Sequence, residues 1–110
     1  MKRKFHLTHA RDIQRVKSKN QSVHHRLLIL VYAPNELDIS RTAVVASKKV
    51  GNAVIRNRVR RRIWAALDQQ WSEVKPGWDL IFYSRSAMVD AEFSEILIAV
   101  KRLLGQAGVI

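Results

Sequence analysis

The 110-residue sequence has no cysteine, two prolines and four separated glycines. Without cysteine there are no disulfides, no thiolate zinc site and no cysteine nucleophile, which fits a reducing cytosol and a cytoplasmic protein. Without clustered glycines there is no phosphate-cradling loop. Long apolar runs are also missing: Leu27 to Ala33 and Ile96 to Val100 fall far short of the roughly 20 residues that span a bilayer. Lys2, Arg3 and Lys4 are followed by no apolar signal core, so no secretory signal is expected. Charge alone would still admit a basic protein of the membrane surface, but no membrane partner is expected.

Acidic residues are the next scarcity. Nine Asp and Glu stand against 20 Lys and Arg, for a net charge of +11. They are scattered as Asp12, Glu36, Asp38, Asp68, Glu73, Asp79, Asp90, Glu92 and Glu95. Hydrolysis by two metals needs several carboxylates on one site, and the only local group, Asp90, Glu92 and Glu95, opens the final helix, where the helix dipole favours acids. His6 and His9 lie three apart without a partner, and the neighbouring His24 and His25 diverge on a strand, so all four read as solvated. No catalytic residue and no metal ligand is expected. If the chain takes part in catalysis, something else does the chemistry.

What is abundant is apolar residue, 47% of the chain. That is too much for a disordered basic tail and enough for one modest core, so residues 1–110 are expected to form a single domain. Thr8 is a candidate N-cap for a first helix reaching about Asn20, stapled by Leu7, with Ala10, Ile13 and Val16 on its apolar stripe. Arg26 to Ala33 reads as a strand buried on both faces, and Arg41 to Ser47 as a second. After Gly51-Asn52, the residues Ile55, Val59, Ile63 and Leu67 mark one face of a long helix, stopped by Lys75-Pro76-Gly77. Asp79 to Ser84 is a third strand and Ala91 to Leu104 a last helix, which makes the class α+β.

Charge is segregated along this pattern. No acid occurs between Asp38 and Asp68, an interval that holds Arg41, Lys48, Lys49, Arg56, Arg58, Arg60, Arg61 and Arg62. With Ile55 at zero on a helical projection, the apolar stripe covers about 0° to 120°, Arg61, Arg58 and Arg62 fall near 240°, 300° and 340°, and Arg56 and Arg60 near 100° and 140°. Arginines bracketing the stripe imply two contact surfaces, or one partner that wraps the helix. Guanidinium groups grip phosphate oxygens in pairs and stack on bases, which suits folded RNA, and Lys48 and Lys49 precede the glycine turn where a phosphate would meet the helix start. Trp64, near 180° on the same projection, reads as packing against the loop around Trp78, with base stacking as the alternative. Charge does not choose between RNA and DNA.

The stretch Ser47-Lys48-Lys49-Val50-Gly51-Asn52-Ala53-Val54-Ile55-Arg56-Asn57-Arg58-Val59-Arg60-Arg61 closely resembles the signature of the bacterial ribonuclease P protein family. Arg41 and the Asp79 to Arg85 segment also look like that family. The resemblance implies a small two-layer α+β sandwich similar to the second domain of ribosomal protein S5, with a left-handed βαβ crossover against the usual rule. It implies a protein subunit of an endoribonuclease in which a catalytic RNA with bound Mg²⁺ removes the 5′ leader from precursor tRNA, while the chain alone binds no cofactor and needs no protein partner. By position, Lys48, Lys49, Asn52, Arg56, Asn57, Arg58, Arg60, Arg61 and, by continuation, Arg62 become candidates for RNA contact. Ile13, Val16, Lys17, Val31 and Ser47 fall where the family lines its leader cleft. The family often has aromatic residues at the positions of Ile13, Lys17 and Val31, so the stacking expected for a single-stranded leader is missing there. Tyr32 is one residue away and points to the opposite face, while Lys17 offers a phosphate contact instead. Asn20 stands where a glycine is usual, and Trp64-Ala65 replaces a charged pair. A ribosomal or general RNA-binding module is the alternative reading, and a DNA-binding protein a more distant one.

Overall fold

Hydrophobic periodicity sets the order of elements. The computed structural model describes residues 1–110 and places helix α1 (Ala10–Ser18), strands β1 (Ser22–His24), β2 (Leu28–Pro34) and β3 (Arg41–Val45), helix α2 (Ala53–Gln70), strand β4 (Trp78–Ser84) and helix α3 (Phe93–Gln106). Short 3-10 turns lie at Arg3–Phe5, Trp71–Glu73 and Ser86–Asp90. The strands form one mixed sheet in the order β1-β2-β4-β3. β1 and β2 make an antiparallel hairpin, β4 runs antiparallel to β2, and β3 lies parallel to β4 with α2 in the connection between them.

The two faces of the sheet are covered unequally. On one, Leu28 and Leu30 of β2 and Leu80 and Phe82 of β4 are sealed against α2 and α3, which contribute Val59, Ile63 and Leu67 and then Ile96, Val100 and Leu103. On the other, only α1 packs, and it closes a small cluster of Leu7, Val16, Ala33 and Ile81. β2 is therefore buried on both faces at Ala33, but Ile29 and Val31 are only half-buried. The sheet surface that α1 leaves uncovered becomes a groove.

Several expectations shift at this level. The N-cap of α1 is His9 and not Thr8, and it makes no side-chain capping bond; Leu7 still anchors the entry, being buried beside Val16 and packed against by Ile13. Ala10 is exposed, so the stripe of α1 rests on Ile13 and Val16. The chain leaves this helix through Asn20, whose φ of 54° is left-handed. Asparagine tolerates that region better than most residues with a Cβ, which accounts for Asn at a position where glycine is usual. Hairpin strand β1 is too short and too polar to show a pattern. Helix α2 ends at Gln70, before the turn at Lys75-Pro76-Gly77.

Gly51 introduces α2 with φ +157°, and a Cβ there would sit 2.9 Å from Cγ2 of Ile55. Ile55 is half-buried against the main core, so it has little room to yield. Gly51→Ala is expected to cost about 1–3 kcal/mol by overpacking, read as a lowered urea midpoint at unchanged slope. A midpoint equal to wild type would show that the turn adapts freely.

Candidate nucleic-acid interface

Helix α2 starts where the Asn52 side chain accepts a hydrogen bond from the Ile55 amide at 3.0 Å. Among the RNA-contact candidates, Asn52 thus has a folding role of its own as an N-cap. The buried residues Val59, Ile63, Ala66, Leu67 and Gln70 occupy the projected stripe and orient the rest of the helix outward. Lys48, Lys49, Asn57, Arg58 and Arg61 are exposed, and Arg56 and Arg60 half-buried. Arg60 donates from Nη2 to Oδ1 of Asn57, which holds its guanidinium along the helix surface. Arg62 is committed elsewhere: its Nη2 donates to the carbonyl of Ala91 at 2.9 Å and ties α2 to the segment before α3.

With Arg62 engaged, the arrangement becomes one broad face running from Arg60 through Asn57 and Arg61 to Arg58, with Arg56, half-buried and its Nε without a partner, at the Arg60 edge. It includes a depression of about 520 Å³ lined by Val54, Asn57, Arg60, Arg61 and Trp64. Trp64 does not pack on the loop around Trp78. It stacks on His6, with ring centroids 4.4 Å apart and planes 14° from parallel, while Trp78 meets Tyr32.

No carboxylate neutralises this face. The ion pairs of the fold are made by Arg15, Arg26, Arg41 and the Met1 ammonium. α2 has no acid in its first turn. Lys48, Lys49 and Arg56 therefore crowd the positive end of the helix dipole, an arrangement that costs stability unless an anion shares it.

On the far side of the sheet lies the groove. A concavity of about 370 Å³ is lined by Lys17 of α1, Ser22 and His24 of β1, Ile29 and Val31 of β2, and Tyr83 of β4, with Asn20 and Gln21 at its rim. Of the residues expected to line a cleft, Lys17 and Val31 do so. Ile13 is half-buried against the cluster beneath, and Val16 is fully buried and cannot touch a ligand. Ser47 belongs to a neighbouring depression of about 550 Å³, where Lys49, Arg26 and Arg85 supply positive charge; Ile29 borders both. Tyr83 was not anticipated, because the apolar run Leu80 to Tyr83 shows no alternation from which to read its face.

The wall formed by α1 is held by a buried carboxylate. Asp79, fully buried on β4, accepts from Asn35 Nδ2 at 2.9 Å, from Arg41 Nε at 2.9 Å and Nη2 at 2.7 Å, and from Arg15 Nη2 of α1. Asp12 joins the same group through Arg41. The hydrogen bond with Asp79 holds the Arg41 guanidinium above its usual pKa despite the opposing effect of burial.

His9 and His24 are exposed as expected, but His6 and His25 are half-buried. Besides the stacking of His6, the Nδ1 of His25 accepts from the Leu27 amide at 3.1 Å. Burial, and then the charges of Arg102 and Arg26, lower the pKa of His25 below its ordinary 6.5. The unfolded chain thus binds more protons here than the folded one, so this site's contribution is intact above about pH 6.5 and is lost as pH falls below it. The urea midpoint is expected to decline between about pH 7 and pH 5, and His25→Asn, which keeps an acceptor, to flatten the decline. Equal slopes in both proteins would assign it to other groups. No three His, Asp or Glu side chains come together as a metal site.

The profile of the family described as Ribonuclease P matches residues 1–108. The "Ribonuclease P protein component" of Roseiflexus castenholzii is 38% identical over 111 aligned positions, which cover 100% of this chain and 91% of the relative. That of Herpetosiphon aurantiacus is 37% identical, covering 97% and 87%. Among solved structures, the RNase P protein of Staphylococcus aureus is similar with a TM-score of 0.85 and 29% identity, over 96% of each chain.

Proposed function

The chain belongs to the ribonuclease P protein family, a protein subunit of the ribonucleoprotein endoribonuclease of tRNA processing, and from that premise we propose how its two surfaces divide the work. The α2 face docks the ribonuclease P RNA through Lys48, Lys49, Arg56, Asn57, Arg58, Arg60 and Arg61. The groove between α1 and the sheet takes the single-stranded 5′ leader of precursor tRNA, with Lys17 and Val31 in contact and Val16 supporting from below. Ser47 lies on the continuation of that path, beside Lys49 and Arg85.

One observation carries this reading above the others: the cations of α2 have no carboxylate partner, although the same chain pairs Arg15, Arg26 and Arg41. A polyanion that releases counterions is the partner such a face fits. In this reading the RNA holds the Mg²⁺ that supplies the hydrolytic chemistry, and this chain, whose carboxylates do not converge on one site, supplies contacts to the RNA and the leader. No helix is long and apolar enough to cross a membrane, and the subunit works in the cytoplasm as one domain with no obligate protein partner.

The absence of cysteine makes a direct test available, since each introduced thiol is unique. Iron-EDTA tethered at Val54→Cys on the α2 face should cleave the ribonuclease P RNA, and at Ser22→Cys in the groove, the precursor leader. From Ile98→Cys on the outer surface of α3, 54% exposed, it should cleave neither. Leader cleavage from Val54→Cys and none from Ser22→Cys would reverse the assignment.

A further inference from the structure

We infer that Tyr83, with His24 beside it, is the base-stacking surface of the groove, a role that rests on the groove being the leader site. Strand register puts His24, Ile29, Tyr83 and Val45 in one row across β1, β2, β4 and β3 on the face that α1 leaves open. The two rings flank Ile29, with their backbones two strand spacings apart, roughly 10 Å. That separation offers two neighbouring unstacked bases one ring each.

Other rings of the protein are occupied or sealed. Phe5 meets Trp71, Trp64 meets His6, Tyr32 meets Trp78 on the core side, Phe82 is fully buried, and Phe93 is half-buried against the main core on the opposite side of the sheet from the groove. Tyr83 has no ring partner and is half-exposed, yet it is packed against the small cluster of Leu7, Val16, Ala33 and Ile81 and so is held in place. His24 is exposed and its Nε2 shares a hydrogen bond with Ser22 Oγ at 3.1 Å, which orients the imidazole. Lys17 supplies a cation at the same concavity, and no carboxylate lines it.

A planar ring on an apolar floor with a cation at its edge recognises single-stranded nucleotides through base faces and backbone phosphate. Because every base has a π-face, such a site is tolerant of sequence. The aromatic function lacking at Ile13, Lys17 and Val31 is thereby restored from the central strand.

The test uses holoenzyme reconstituted with ribonuclease P RNA, and dissociation constants for precursor tRNA carrying either a long single-stranded leader or a one-nucleotide leader. Tyr83→Leu keeps apolar bulk and removes the ring; it should weaken binding of the long-leader substrate by about tenfold and leave the short-leader substrate unchanged. Tyr83→Phe should bind as wild type. Abasic nucleotides stepped through the leader should weaken wild type at one or two positions at which Tyr83→Leu is no longer sensitive. Lys17→Glu separates the two ideas. If it weakens long-leader binding while Tyr83→Leu does not, the groove is the leader site and the stacking role is wrong. If neither variant responds, the groove reading fails and the inference falls with it. Equal weakening of both substrates by Tyr83→Leu would mark a structural effect and also overturn the role.

Discussion

Asp79→Asn is expected to destabilise the fold by about 3–5 kcal/mol, the scale seen when one partner of a buried ion pair is removed. Asp79 is fully buried and accepts four hydrogen bonds, three of them from Arg15 and Arg41. The amide keeps the shape but turns donors toward two guanidinium groups and leaves their charge to Asp12 alone. For a domain with a total stability of about 5–15 kcal/mol, that loss is a large fraction. Urea unfolding should show a much lower midpoint with the slope retained. A change under about 1 kcal/mol would mean that water reaches the network and screens it. Because Arg15 belongs to α1 while Arg41 and Asp79 belong to the sheet, the same substitution frees one wall of the groove. Binding of ribonuclease P RNA to the opposite side should restore folding by mass action, and the refolded complex should still lose affinity for leader-bearing substrate.

Removing four exposed cations, Lys48, Lys49, Arg58 and Arg61, by alanine is expected to have the largest effect on RNA binding. Each phosphate contact contributes roughly 0.7–0.9 to the slope of log affinity against log salt, so the slope should fall by up to about 3.6 units. Affinity for ribonuclease P RNA should drop by orders of magnitude at low salt and converge with wild type at high salt. Stability should hold, since none of the four forms an ion pair, and relief of repulsion near the helix start favours the variant. Arg62→Ala serves as the contrast: it should cost stability through the lost bond to Ala91 and leave the salt slope nearly intact. An unchanged slope in the fourfold variant would show that this face meets solvent in the complex.

Much of the architecture is legible from local pattern. The four-residue recurrence of Ile55, Val59, Ile63 and Leu67 places α2 and its buried side; the apolar run before Pro34 and the segment from Asp79 place the two central strands. The fifteen-residue signature from Ser47 to Arg61 marks the proposed docking face on α2, because the residues of that face are neighbours in sequence. Where contacts are distant in sequence, the pattern is silent. The burial of Asp79 depends on Arg15 and Arg41, 64 and 38 positions away. Arg62 looks like any other arginine of its helix until α3 brings the Ala91 carbonyl to it. Trp64 finds His6 because an N-terminal segment bridges to β3 at Thr42. The β1 hairpin is three residues of mixed polarity and owes its existence to pairing with β2. Tyr83 shares an unbroken apolar stretch with Leu80, Ile81 and Phe82, so only the sheet register places it with Ile81 on the α1 side and apart from Leu80 and Phe82.

The central claim is that this chain completes a ribonucleoprotein whose RNA performs the reaction. The most direct measurement adds the protein to bacterial ribonuclease P RNA at low Mg²⁺ and times release of the 5′ leader from precursor tRNA. The expected result is strong acceleration that requires the RNA, is lost with the fourfold Lys48, Lys49, Arg58 and Arg61 variant, and is absent with protein alone. No acceleration with any of several bacterial ribonuclease P RNAs, or leader release by protein without RNA, would contradict the account.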